Sequence, residues 1–125
     1  MSPNEYCSLL RKATGQFEDY GLTKSIEFEE EIRAGKQIVI AVKIVLLDHS
    51  VLIIREFIDA KYKIEKLSYA YQYHAENGEL IFRYDNAAHK PSLGYKEHKH
   101  LSSGEIIHAP LPDIFDVLDE VLKYL

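Results

Sequence analysis

The sequence predicts a single α+β domain covering residues 1–125, with an N-terminal helix, an antiparallel meander of about five strands, a histidine-rich loop and a C-terminal amphipathic helix. Apolar residues recur with helical spacing at both ends of the chain and with a period of two between them. The 125 residues suffice for one core but not for two ordinary domains. No repeat, linker or low-complexity tract divides the chain.

The first predicted element is a helix that begins at Ser2-Pro3-Asn4-Glu5. A capping serine is followed there by proline and, three residues after the serine, by an acid, which is the pattern of a capping box. The helix is expected to end near Gly15 or Gly21, because glycine favours helix C-termini. Its apolar stripe comprises Tyr6, Leu9, Leu10, Ala13 and Phe17.

Four strands of a meander are predicted next, separated by short polar turns. The first alternates apolar residues with glutamates and is expected to be half-buried. The second is almost continuously β-branched, so we expect it to be buried on both faces. These strands are Ile26 to Ile32, Gln37 to Leu47, Val51 to Ile58 and Tyr62 to His74.

A fifth strand, Leu80 to Asp85, is predicted to follow a type I′ hairpin turn at Asn77-Gly78, because both residues tolerate positive φ angles. Alternation then separates a tyrosine-rich face from a polar face that carries Arg83 and Asp85. The predicted register pairs Glu76 with Glu79, Tyr73 with Phe82, Gln72 with Arg83 and Tyr71 with Tyr84.

Residues 86–112 show no regular periodicity and contain prolines, glycines and most of the histidines. This stretch is predicted to be a long loop, and such loops are often functional. A short strand within it is an alternative that the pattern leaves open. Pro112 and Asp113 then begin the C-terminal helix, whose apolar residues Ile114, Phe115, Val117, Leu118, Val121, Leu122 and Leu125 repeat at helical spacing.

Composition excludes several classes of protein. The net charge of −5 argues against coating of nucleic acid by bulk charge. Cys7 is the only cysteine, so neither an internal disulfide nor a cysteine-based zinc site can form. No apolar run reaches membrane-spanning length and no secretory signal pattern is present, so a cytoplasmic protein is expected.

Candidate functional residues concentrate between residues 83 and 108, where four Lys or Arg stand against three Asp or Glu and four histidines are added. Metal-free RNA cleavage requires a base, an acid and a cation for the phosphate, and this stretch contains all three. The candidate catalytic residues are His89, His98, His100 and Asp85, the last to orient a histidine. The candidate substrate-binding residues are Arg83, Lys99, Tyr84, Asn86 and Tyr95.

Other interpretations remain open. No cofactor is required by the main hypothesis, but His89, His98 and His100, with Asp85, could bind a divalent metal and support a metal-dependent nuclease. Arg83 and Asp85 could equally form a plain surface ion pair. The chain could also be a non-enzymatic protein that docks a partner through its C-terminal helix and aromatic face.

The motif formed by Arg83-Tyr84-Asp85-Asn86, His89 and His98-Lys99-His100, followed by an amphipathic helix, resembles the TumE-type toxins. The resemblance implies a growth-inhibiting toxin with a cognate antitoxin, and RNA is the target that the residues favour. Family members often have proline-histidine-histidine at the first site, where this chain has Ala88-His89-Lys90. Exposed apolar residues on either helix leave a homodimer open as well.

Overall fold

The computed structural model describes residues 1–88 and 93–125, and within these ranges the α+β prediction is confirmed. Helix α1 spans Pro3–Asp19 and helix α2 spans Ile114–Leu122. Neither of these helices is long and apolar enough to cross a membrane, nor is any other described segment helical at that length. The strands are β1 (Thr23–Arg33), β2 (Gln37–Leu46), β3 (Val51–Asp59), β4 (Glu65–His74), β5 (Leu80–Asp85), β6 (His98–Leu101) and β7 (Ile106–His108).

The predicted start of α1 is confirmed in detail. The Ser2 side chain accepts a hydrogen bond from the Glu5 amide, and the Glu5 carboxylate accepts one from the Ser2 amide. Gly15 lies inside the helix, which ends at Asp19 and is followed by Gly21 at φ +70°. Of the two glycines proposed as the end of the helix, Gly21 is therefore the correct one, because its conformation is costly for other residues.

The seven strands form one antiparallel sheet in chain order. Buried residues alternate with more accessible ones along β2 and β3, and they join the buried sides of α1 and α2 in a single core. Both helices therefore cover the same face, which we call the covered face. No helix among the described residues lies on the other, open face. The prediction that β2 is buried on both faces is wrong, since its open-face residues are half-buried or exposed.

The β4–β5 hairpin has the predicted register at Tyr71, Gln72 and Tyr73, but its turn differs from the prediction. Gly78 is at φ +87° and its amide donates to the Ala75 carbonyl, whereas Asn77 does not adopt a positive φ. The amide of Ala75 pairs with Glu79, so the predicted type I′ turn and the pairing of Glu76 with Glu79 are wrong. A β-bulge after this longer turn compensates for its extra residue, and the predicted pairs of Tyr71, Gln72 and Tyr73 are confirmed.

The predicted count of five strands is wrong, because residues 86–112 contain the hairpin of β6 and β7. These strands have four and three residues, which is too short for a recognisable alternation. Their turn places Gly104 at φ +89°, with its amide donating to the Leu101 carbonyl. The histidine-rich segment is therefore partly a strand, and its side chains have defined faces.

Candidate functional site

Strand pairing brings four of the predicted site residues together on the open face. Arg83 on β5 lies opposite His100 on β6, and Asp85 lies opposite His98. Directly opposed residues of antiparallel strands extend from the same face of a sheet. Because each strand contributes residues two apart, all four side chains lie on one side. We call Arg83, Asp85, His98 and His100 the Asp85 cluster.

The Asp85 carboxylate is the centre of this cluster and is 3% exposed. Its Oδ2 accepts a hydrogen bond from Arg83 Nε at 2.6 Å and lies 3.4 Å from His100 Nε2. Its Oδ1 lies 2.7 Å from His98 Nε2 and accepts from the Ala87 amide at 3.0 Å. Burial alone would raise the pKa of Asp85, but the Arg83 hydrogen bond, the Ala87 amide and the neighbouring positive charges lower it overall.

His98 is fully buried and has an acceptor at each ring nitrogen. Its Nδ1 lies 2.6 Å from the Lys96 carbonyl oxygen, while its Nε2 faces the Asp85 carboxylate. His98 therefore lies between the Lys96 carbonyl oxygen and the Asp85 carboxylate, and its contact with Asp85 helps to hold that carboxylate in place.

Arg83 and His100 are the accessible members of the cluster. The His100 side chain is 22% exposed, and its ring lies edge-on to that of His98, with centroids 4.9 Å apart. The Arg83 side chain is 36% exposed, and its Nη1 donates to Gln72 Oε1 at 2.8 Å. Its Nη2 hydrogens find no acceptor among the residues that the structure describes, so they can bind an anion from solvent.

The variant Asp85→Asn should lower the free energy of unfolding by about 1–3 kcal/mol at pH 7, because it removes the charge that pairs with His98 and Arg83. The folded pKa of Asp85 is lowered, so its carboxylate contributes stability above the unfolded pKa of about 3.9. That contribution is lost as the pH falls through the folded pKa. Urea denaturation should therefore show that the stability difference between wild type and Asp85→Asn shrinks as the pH is lowered from 7 towards 3, which lies below the unfolded pKa.

The exposed Asp119 of α2 supplies the matched control. Asp119→Asn should change stability by less than about 0.5 kcal/mol at either pH. A stability difference between wild type and Asp85→Asn that stayed constant with pH would contradict the assigned ion pair.

Lys99 and Tyr84, both predicted to bind substrate, lie on the covered face and not in the Asp85 cluster. They are paired with each other across β5 and β6. Glu120 of α2 accepts a hydrogen bond from Tyr84 Oη at 2.5 Å and from Lys99 Nζ at 2.7 Å. Lys99 Nζ also lies 4.8 Å from the centre of the Tyr84 ring. Both side chains therefore attach α2 to the sheet.

Asn86 and Tyr95, the other predicted substrate-binding residues, have different surroundings. The Asn86 side chain accepts from the Tyr69 amide and donates to the Leu67 carbonyl, both at 3.1 Å, so it continues the pairing of β4 beyond the end of β5. Tyr95 packs against the ring of His108, with centroids 5.2 Å apart. His108 lies opposite His98 in the sheet, which places Tyr95 near the border of the Asp85 cluster.

His89, predicted to be catalytic and a possible metal ligand, lies outside the described residues. A different set of possible ligands occurs within them, because one donor atom from each of Asp85, His98 and His100 lies within 4.8 Å of the others. Two imidazoles and a carboxylate suit zinc, manganese or nickel. A metal bound by this set would take the place of the direct contact between His98 Nε2 and the Asp85 carboxylate.

Sequence reasoning missed Arg55 and Gln72 as parts of this surface. Gln72 lies opposite Arg83, as the hairpin register predicts, and its side-chain oxygen accepts a hydrogen bond from Arg83 Nη1. Arg55 lies opposite Ala70, which lies opposite Asp85. Extending the register across one more strand would have brought Arg55 into the same row.

Fold and cluster define a small α+β protein whose open sheet face carries ionisable residues. A family model described as Toxin TumE matches residues 14–125, and the chain therefore belongs to the TumE toxin family. Membership identifies the toxin of a toxin-antitoxin module and implies a cognate antitoxin as partner. Comparison with curated proteins and with solved structures finds no match.

Proposed function

We propose that this chain is a metal-independent endoribonuclease that cleaves RNA at the Asp85 cluster. The observation that carries the proposal is the convergence of Arg83, His98 and His100 on one buried carboxylate at the open face. A fixed guanidinium beside an accessible imidazole provides phosphate binding and proton transfer at one point. Membership in a toxin family agrees with an activity that harms the cell producing it.

The proposed reaction uses the substrate's own 2′-hydroxyl. The 2′-oxygen attacks the adjacent phosphorus, its proton passes to a base, and the bond from phosphorus to the 5′-oxygen breaks. The leaving 5′-oxygen takes up a proton, and the products are a 2′,3′-cyclic phosphate and a 5′-hydroxyl end. No oxidant, reductant or further reactant is needed, so side chains alone can supply the chemistry.

Each member of the Asp85 cluster has a distinct role in this proposal. His100 transfers the proton, because its imidazole is accessible whereas that of His98 is fully buried. Arg83 binds the scissile phosphate through its Nη2, for which the described residues provide no acceptor. Asp85 and His98 are positioning residues, since Asp85 contacts both Arg83 and His100 and His98 holds Asp85. The role predicted for His89 as second proton-transfer group stays a prediction from the sequence.

Analysis of the cleavage products tests the proposed function directly. Single-stranded RNA incubated with the purified protein and excess chelator should yield 2′,3′-cyclic phosphate ends. The same oligonucleotide with 2′-deoxy sugars should remain intact, because the attacking group is missing. Intact RNA under all conditions would contradict the proposal, and growth inhibition that persists after His98 and His100 are both replaced would favour a non-enzymatic toxin.

A metal-dependent nuclease is the second candidate, favoured by the 4.8 Å grouping of donor atoms from Asp85, His98 and His100. It predicts cleavage that stops with a chelator and returns when a divalent metal is added. It also predicts products with ordinary phosphate and hydroxyl ends, because water rather than the 2′-oxygen attacks. Elemental analysis of protein purified without an affinity tag provides an independent check.

A further inference from the structure

A second cation lies on the open face beside the Asp85 cluster. Arg55 of β3, Ala70 of β4 and Asp85 of β5 form one straight row of directly opposed residues. Arg55 is exposed and has no ion pair among the described residues. Because the residue between it and Asp85 is alanine, no long side chain separates the two positions. Two strand spacings amount to about 10 Å.

The surface between Arg55 and Arg83 is concave. A depression of about 300 Å³ is lined by both arginines together with Ile53, Ala70 and Gln72. A neighbouring one of about 420 Å³ extends from Arg83 and Asp85 past Arg55 to Phe57. Depressions of this size accommodate small organic ligands. Phe57 is half-buried and lies two residues beyond Arg55 on the same face of β3.

The charges on this face change sign towards β1. Glu29 lies opposite Ala41, which lies opposite Arg55, so the row that begins at Asp85 ends at an exposed glutamate. Glu27 lies opposite Lys43 in the adjacent row. An anionic chain that starts at Arg83 is therefore attracted as far as Arg55 and repelled beyond Lys43.

We propose that Arg55 and Phe57 form a second nucleotide subsite for single-stranded RNA, an inference that rests on the proposed ribonuclease function. Arg55 binds the phosphate next to the scissile one, and the Phe57 ring stacks against an adjoining base. Stacking on a sheet surface requires an unpaired base, so the subsite selects single strands over duplexes. The glutamates of β1 limit the bound segment to a few nucleotides.

Binding of an uncleavable 2′-O-methyl oligonucleotide tests the Arg55 subsite. Fluorescence anisotropy over a range of salt concentrations should show that Arg55→Ala weakens binding about tenfold at low salt. The slope of log affinity against log salt should fall by about 0.7, the value for one phosphate contact in a single strand. Arg33→Ala is the matched control, because Arg33 is an exposed arginine that pairs with Glu31 on β1.

The Phe57 ring is tested by Phe57→Leu in the same assay. Stacking of a base on an aromatic ring contributes about 1–3 kcal/mol by alanine substitution, equivalent to a loss of affinity of about fivefold to 150-fold. Leucine keeps apolar contact, so we expect the lower end of this range. The salt slope should stay at its wild-type value, because stacking neutralises no phosphate.

These outcomes separate the subsite from the ribonuclease activity. If the protein cleaves RNA but the salt slopes of binding are the same for Arg55→Ala and Arg33→Ala, the subsite is overturned and the proposed function is not. Binding that depends on Arg55 without any cleavage would overturn the proposed function and leave the subsite standing. Tighter binding of a duplex than of the single strand would overturn the assignment to single-stranded RNA.

Discussion

The variant His100→Ala should reduce RNA cleavage by about 10²- to 10⁴-fold, the usual contribution of a positioned proton-transfer group. His100 supplies the accessible imidazole of the Asp85 cluster, and its removal leaves Asp85 bound to Arg83 and His98. The fold should therefore persist while proton transfer is lost. Initial rates on a single-stranded oligonucleotide measure the effect, and growth inhibition in cells should fall in parallel.

His49→Asn is the matched control for this variant. His49 lies in the turn between β2 and β3, exposed and at φ +67°, a conformation that asparagine tolerates well. The control should cleave RNA at the wild-type rate. Comparable cleavage by His100→Ala and wild type, with equal thermal unfolding, would contradict the role assigned to His100.

The variant Glu56→Ala should lower the free energy of unfolding by about 3–5 kcal/mol, the cost of leaving a buried charge without its partner. Glu56 is 2% exposed and lies in the core between the sheet and α1. Its carboxylate accepts a hydrogen bond from Tyr6 Oη at 2.5 Å and another from Tyr71 Oη, and it lies 3.1 Å from Lys66 Nζ. Burial and this carboxylate both raise the pKa of Tyr71, so its phenol remains a donor.

Urea denaturation of a small set of variants separates charge from packing at this position. Glu29→Ala, which changes an exposed glutamate of β1, should alter stability by less than about 0.5 kcal/mol. The double variant Glu56→Leu with Lys66→Met should recover only part of the loss, because apolar residues can replace the ion pair but the hydroxyls of Tyr6 and Tyr71 lose their acceptor. A loss below about 1 kcal/mol for Glu56→Ala would show that the Glu56 carboxylate is not desolvated as the structure indicates.

Short-range sequence patterns were sufficient to predict most of the helices and strands. The capping box at Ser2 and the pairing around Tyr71 and Arg83 are short-range features that occur as predicted. The C-terminal helix also follows Asp113 as predicted, but Phe115 of its predicted stripe is exposed and Leu125 lies beyond the helix. The turn at Gly78 was misjudged because the sequence does not distinguish a two-residue turn from a three-residue turn with a compensating bulge. Strands β6 and β7 are stabilised by pairing with β5 and with each other, which no local pattern reveals.

The candidate site was predicted in part for the same reason. Asp85 and Arg83 lay on a strand with a known register, so their shared face followed directly. The sequence predicts a loop around Lys99, and in a loop the alternation of side chains does not apply. In a strand, the spacing that places His98 and His100 together sends Lys99 to the opposite face. Arg55 lies one strand further on, so placing it requires the register between β3 and β4 in addition to that of the hairpin.

The contacts of Tyr84 and Lys99 with Glu120 have a consequence for how the Asp85 cluster forms. Shifting β6 by one residue against β5 would exchange the faces of His98, Lys99 and His100. The carboxylate of Glu120 selects the native register, because only there do Lys99 and Tyr84 reach it together. Docking of α2 on the covered face therefore stabilises the strand register that places His98 and His100 on the open face.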